Sequence, residues 1–493
     1  MKTRTLALLV ASTFTVATPA AFAENLLQVY QRAKEYDAQF KAQESNHLAI
    51  VEKKQQALAS LKPQVNLSGN AAYSSERNSL TGNTVDGTAG SYTLGVSKSL
   101  YNKNLNATVG KTDALIAQST AALESYRQDL ITRVADAYFR ALTAQDNLEF
   151  ARAEKAAIGR QLEQTKAYFD AGRSAITDVK EAEASHAAAS AQEIAATQQL
   201  DVAREQLRVL TGGFYQSLNA PRTNMPLTMP EPNGIEAWVN TAKQKNHLLR
   251  ASKQAIAAQQ KEVEAQRAAK SPTVNLFANH TGAYADNDTF NNRRSNDSSV
   301  GVNLSVPLYT GGAISSKVRE AQHNLRQSQQ QHDFQERQTE QLARSAFLTV
   351  QSSISQTKAA QQALSAAETA AEATQAGFEV GTRTAVDVLN SLRGVFRARR
   401  DYASARYSYL QNQLALRQAA GTLSEKDVAS MSAFMTAAPK QVAADSSQDQ
   451  PEATDQISEQ VKPAAPAAVE KSSAADGGYQ YYVMPEQPGK AAK

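Results

Sequence analysis

Few residues in this chain have the types and spacing that catalysis requires. The six histidines fall at no ligand spacing; His323 and His332 are the nearest pair and sit on no shared motif. There is no cysteine, which removes thiolate nucleophiles, disulfides and cysteine-borne lipid. Gly110-Lys111-Thr112 has the end of a phosphate loop, but Leu105 stands where that loop needs glycine. No serine occupies a Gly-x-Ser-x-Gly turn. The chain therefore reads as a non-enzyme without cofactor or metal. What remains is charge. Arg393, Arg397 and Arg400 recur at helical spacing, which fits a solvated face or interhelix pairs better than an anion site. With 52 basic and 48 acidic residues and no block of one sign, nucleic acid is not an expected partner.

The elements that must position these charges begin after a leader. Lys2 and Arg4 precede an apolar run from Leu6 to Val16, and Ala21-Phe22-Ala23 supplies small residues before Glu24. Residues 1–23 read as a secretory signal, too short in its apolar part to span a bilayer. No later stretch of about 20 apolar residues exists, so any membrane role must use strands, an anchor or a partner. Aromatics are only 6% of the chain, while Ala, Gln and Ser are abundant; this composition suits long helices with small-residue contacts.

The chain is an internal duplication. An offset of 209 residues relates Pro63, Val65, Asn66 and Leu67 to Pro272, Val274, Asn275 and Leu276, Phe169 and Gly172 to Phe378 and Gly381, and Asp178-Val179 to Asp387-Val388. The first copy is read as 24–220 and the second as 234–430, joined by a linker at 221–233. Each begins with a helix (24–61 and 234–270). Two strands follow within 63–101 and 272–309. Val65, Leu67, Ala71 and Tyr73 alternate with polar neighbours, as do Val300, Val302, Leu304 and Val306, whereas Phe277 falls on the polar face. Thr81-Gly82-Asn83, Asp86-Gly87, Asp286-Asn287-Asp288 and Asn291-Asn292 with Arg293-Arg294 mark the loops between paired strands.

Long helical hairpins complete each copy, at 103–211 and 313–420. No proline interrupts 64–220 or 308–438, so the outgoing helices each reach about 100 Å at 1.5 Å per residue. Leu123, Tyr126, Leu130, Val134, Tyr138 and Leu142 form a narrow apolar stripe, as in a coiled-coil seam. Gly172 and Gly381 end the outgoing helices. Four strands cannot close a membrane barrel, which needs about eight or more, and open edges in lipid leave backbone groups unpaired. Strands must therefore be pooled between chains. Two chains would supply eight strands and three would supply twelve; the favoured fold is a mixed α and β membrane protein, a trimeric 12-stranded transmembrane β-barrel, four strands per chain, continuous with a long α-helical coiled-coil barrel.

Glu24-Asn25-Leu26, Pro63-Gln64-Val65, Pro307-Leu308-Tyr309 with Gly311-Gly312, and above all Val380-Gly381-Thr382-Arg383-Thr384-Ala385-Val386-Asp387-Val388-Leu389 resemble the TolC family of outer-membrane efflux proteins over about 24–430. The resemblance implies a homotrimer in the outer membrane of a Gram-negative bacterium, in contact with its lipid and extending into the periplasm. It implies a periplasmic adaptor and an inner-membrane pump of RND or ABC type as partners, and passive export of drugs, toxic compounds and proteins in efflux and type I secretion. It also implies a pore constriction at Asp387, with Asn390 where the family has a second acid. A gate latch follows at Asp178, Arg383 and Arg406, with Phe378 where a tyrosine is usual, and adaptor-facing tips follow at Gly172 and Gly381. Residues 437–493, rich in Ala, Gln, Glu, Ser and Pro, are expected to be a disordered tail. The competing reading is an elongated periplasmic coiled-coil scaffold or adhesin without a pore.

Overall fold

The computed structural model describes residues 24–77, 82, 84–222, 225–287 and 293–436. The expected signal and tail lie outside these, as do the expected loop residues Thr81, Asn83, Asp288, Asn291 and Asn292. In chain order the elements are α1 (Leu26–Tyr36), α2 (Ala38–Ala59), β1 (Gln64–Arg77), β2 (Thr84–Tyr101), α3 (Lys103–Asp170), α4 (Ile176–Thr211), β3 (Ala220–Pro221), α5 (Ile235–Lys245), α6 (His247–Ala268), β4 (Thr273–Asn287), β5 (Arg293–Ser305), α7 (Ala313–Glu379), α8 (Ala385–Ala419), α9 (Glu425–Ser432) and β6 (Met435–Thr436).

Each copy opens on two helices where the sequence reading drew one. The break at Asp37 arises because its carboxylate accepts the Phe40 amide at 2.6 Å and caps α2; Asn246 does the same for Leu249 at 3.1 Å. The two capping residues are equivalent in the duplication. Arg133 of α3 holds Asp37 with two bonds of 3.0 and 3.1 Å, and Asn246 donates to the Ala419 carbonyl at 3.0 Å. Gly212 and Gly421, again equivalent, press the returning helices onto these breaks with φ of 68° and 70°. A Cβ on Gly212 would lie 2.7 Å from the Tyr36 ring, and one on Gly421 2.5 Å from the Asn246 backbone.

The strands form one antiparallel sheet in the order β1-β2-β4-β5. Val65 pairs with Val96, Val96 with Ala278, and Ala278 with Val300, so one apolar row crosses all four strands. Pairing runs past the alternating segments. Asp86-Gly87 and Asp286 sit in the ladder opposite Ser75, Ser74 and Thr88 rather than in turns, because ladder bonds join backbones and tolerate side chains that favour loops. Phe277 faces away from the apolar row, over Gly301; a Cβ there would come within 2.8 Å of its ring. The missing side chain thus makes room for the one aromatic that breaks the alternation.

The helices α3 and α7 are 68 and 67 residues long. Beside the strands α3 packs against α2 and α6, and α6 against α7; further along, α3 packs against α4 and α8, and α8 against α7. The main core lies between these regions, at a waist where Leu130, Val134, Tyr138 and Leu142 are fully buried. Of three buried tyrosines, two lash connecting segments to the long helices and one ties two long helices together. The Tyr138 hydroxyl donates to the Asn219 carbonyl at 2.7 Å, the Tyr409 hydroxyl to the Thr228 carbonyl at 2.9 Å, and the Tyr407 hydroxyl to Asp146 at 2.5 Å. The strand pair β3–β6 and the bond from Gln128 to the Leu423 carbonyl, 2.9 Å, close the knot.

Asp146 makes this waist pH-dependent. Burial pushes its carboxyl up to about 6, against the opposing effect of the Tyr407 bond, with Glu149 adding to the rise and Arg406 countering it. A carboxyl raised above its ordinary 3.8 favours the folded state when protonated, so its contribution falls as pH rises through that window. The melting temperature of the purified protein is expected to rise between pH 7 and pH 5. Asp146→Asn, which keeps an oxygen for Tyr407, is expected to flatten that rise and to melt higher at pH 7; an unaltered slope would remove Asp146 as its source.

Candidate functional site at the hairpin ends

The ends of the two hairpins are built alike. The Gly172 amide donates to the Phe169 carbonyl at 2.8 Å and the Arg173 amide to the Tyr168 carbonyl at 2.7 Å, with Gly172 at φ 71°. In the second hairpin Gly381, at φ 80°, donates to Phe378 at 3.0 Å and Thr382 to Gly377 at 2.8 Å. A Cβ on either glycine meets nothing within 4 Å. Backbone conformation, not crowding, requires glycine there, and both tips stand open.

The acids expected at the mouth begin the returning helices. Asp387 closes a capping box: its carboxylate accepts from the Thr384 amide at 3.0 Å and the Thr384 hydroxyl at 2.9 Å, while its amide donates back at 3.2 Å. These bonds, with Arg383 nearby, hold its carboxyl below the ordinary value. Asp178 has the poorer half of this arrangement. Ala175 stands where the second copy has Thr384, and the hydroxyl comes instead from Ser174 at 2.7 Å. Asn390 is exposed and its side chain bonds no described residue, and Arg383 is exposed without an ion pair to a described residue.

Two further expected residues have partners other than Asp178 within the chain. Phe378 lies against Tyr168, with ring centroids 5.6 Å apart, and Arg173 caps the Tyr168 ring at 4.9 Å. The phenol absent at 378 is thus present on the neighbouring hairpin, where Gln164 donates to it at 3.2 Å. Arg406 is not brought to Asp178 within the chain. It lies about 32 Å along α8 from that helix's first residue, bonding the Pro221 and Arg222 carbonyls at 2.5 and 2.9 Å and stacking on Tyr402. Distance alone separates it from the mouth and makes it a strut of the waist. Of the arginine stripe, Arg400 forms an interhelix ion pair with Glu154.

Leu389 anchors α8 beside the mouth, packing with Ile158, Ala182 and Ala189 of the first hairpin. Sequence reasoning missed Thr384, although Thr384-x-x-Asp387 is a legible capping pattern. It also missed Tyr168 and Arg173, for which no signal existed: position 377, equivalent to Tyr168, is a glycine. Among the described residues no His, Asp and Glu cluster is arranged for a metal, and no helix is long and apolar enough to cross a membrane.

The model of the outer membrane efflux protein family matches residues 29–213 and 238–422, two segments separated by the same 209-residue offset. The chain belongs to this family. It is 35% identical over 438 residues to outer membrane protein TolC of Vibrio cholerae, covering 88% of this chain and 99% of that one. It is 31% identical to the alkaline protease secretion protein AprF of Pseudomonas aeruginosa, over 83% and 86% of the two chains. Among solved structures, CusC superposes with a TM-score of 0.70 over 81% of this chain and 93% of that one at 18% identity. The outer membrane protein VceC of Vibrio cholerae superposes at 0.67 over 80% and 96%, at 20% identity. The fold is therefore that of outer-membrane channels, and as an outer membrane efflux protein the chain is an exit duct in the outer membrane of a Gram-negative cell.

In this efflux protein the capping box extends the ionised range of Asp387 to lower pH. Thr384→Ala removes the hydroxyl from the carboxylate, so the Asp387 titration midpoint is expected to move up toward the ordinary aspartate value. Carbon-13 resonances of labelled aspartate followed over pH would read this. An unmoved midpoint would mean that the Thr384 hydroxyl contributes nothing to holding the charge.

Proposed function

We propose that three copies of this chain assemble into one duct, pooling their strands into a 12-stranded barrel in the outer membrane and their helices into a cylinder crossing the periplasm. The observation that carries this reading is the sheet. Its outer strands, β1 and β5, are each paired on one side only, and its apolar face is bare: Leu67 is 75% exposed and Val300 79%. A bilayer would cover such a face, but not two open backbone edges, each unpaired group costing several kcal/mol in lipid. The helices repeat the demand, since Ile194 and Val209 of α4 and Phe334 and Leu342 of α7 are also exposed. Two chains would supply only about eight strands, the least that closes a membrane barrel; three give twelve and a wider passage.

The duct is passive. Cargo arrives from an inner-membrane pump of RND or ABC type through a periplasmic adaptor that engages the tips at Gly172 and Gly381, in efflux and in type I secretion. Three Asp387 carboxylates around the threefold axis favour cations at the narrow mouth; Asn390 leaves that ring single. Asp178 and Arg383, without an ion pair to each other inside one chain, meet across neighbouring chains as a latch, a role that suits charge-assisted bonds because they hold one geometry yet exchange when a partner binds. Opening is a swing of the helical ends.

Light scattering in detergent is expected to give three chains per particle, and planar bilayers to give small, cation-selective currents. Asp387→Asn should lower cation selectivity severalfold while preserving the trimer. A monomer or dimer, or a protein that never conducts, would overturn this reading.

A further inference from the structure

Two consecutive arginines on α8 reach in different directions. Arg399 donates to Glu368 of α7 at 2.9 Å, within its own hairpin. Arg400 donates to Glu154 of α3 at 2.9 Å, across to the first hairpin. Their surroundings differ as much as their partners. The Arg399–Glu368 side chains are each 41% exposed, whereas those of Arg400 and Glu154 are 25% and 11% exposed. The first is an ordinary surface pair of small worth. In the second, either group left alone would be a shielded charge without a partner, a costly state.

The height of this pair matters. Along α3 it lies between the Tyr407–Asp146 bond of the waist and the apolar contact of Leu389 with Ile158 near the mouth. Swinging the second hairpin away from the first about the waist would carry Arg400 off Glu154. It would leave Arg399 and Glu368 together, since both ride on the moving hairpin.

We infer that Glu154 and Arg400 form a latch inside each chain, holding the second hairpin to the first, which must part whenever the mouth opens. The inference rests on the reading of the chain as a gated duct and adds to it a restraint within the chain, separate from the links between chains. Shielding from water makes this restraint less sensitive to salt than exposed links are, so it holds the closed state until a partner bound at the tips displaces it.

The test is single-channel recording from purified wild-type protein and four variants in planar bilayers. Glu154→Gln and Arg400→Gln are each expected to raise the mean conductance severalfold, in low and high salt alike. Arg399→Gln is expected to match wild type. The reversed pair, Glu154→Arg with Arg400→Glu, is expected to return conductance toward the wild-type level, which a variant damaged in folding would not do. Wild-type currents that are unchanged in Arg400→Gln would overturn the latch while leaving the duct intact. An equal rise in Arg399→Gln would overturn it too, by showing a general loosening of α8. Wild-type protein that carries no current would sink the duct reading itself, and the latch with it.

Discussion

Backbone hydrogen bonding at the edges of a sheet governs this molecule. Four antiparallel strands with one bare apolar face suit a bilayer on that face only. Their two outer edges carry donors and acceptors that lipid cannot satisfy. In the proposed assembly the number of strands per chain calls for a shared barrel, and such a barrel would set the helices that continue from it around a common axis. The apolar residues left exposed along α4 and α7 are the helical statement of the same requirement.

The waist is the fixed point. On one side of it the helices continue from the strands; on the other the two hairpins are bound to each other more sparsely, by an ion pair, a small apolar cluster and a ring contact. The contrast in burial follows the contrast in role. At the waist, apolar side chains are fully enclosed and tyrosine hydroxyls reach backbone carbonyls. Toward the tips the contacts between the hairpins are smaller, a four-residue apolar cluster, one ring contact and one ion pair, and they separate without exposing a large apolar surface. A gate built on such contacts can move while the waist keeps its packing.

Much of this was legible in the sequence because the duplication doubled every signal. Strand alternation, the proline-free helices and the glycines at 172 and 381 each appeared twice at one offset. What escaped was set by tertiary contact. The breaks at Asp37 and Asn246 sit inside helical stretches, and only their shared offset and capping chemistry hinted at them. Phe277 looked like a fault in the pattern until the register set it over Gly301. At the hairpin ends, Asp387 and Asp178 were singled out by motif, but a motif could not say that Phe378 turns to Tyr168 or that Arg406 serves the linker. Those depend on which faces of two hairpins meet, and sequence spacing along one helix carries no information about the rotation of another.

The unbroken run of α3 makes it a ruler. With 68 residues between strand and tip, a single inserted residue would lengthen the span by about 1.5 Å and turn everything beyond it by about 100°. The seam would lose phase with its neighbours, whereas a block of seven keeps it nearly in phase. Such a helix tolerates changes of length only in steps of about 10 Å, matched in both copies. The reach of the hairpin beyond the strands is thus quantised by the pitch of the coil, changing by whole heptads rather than by single residues.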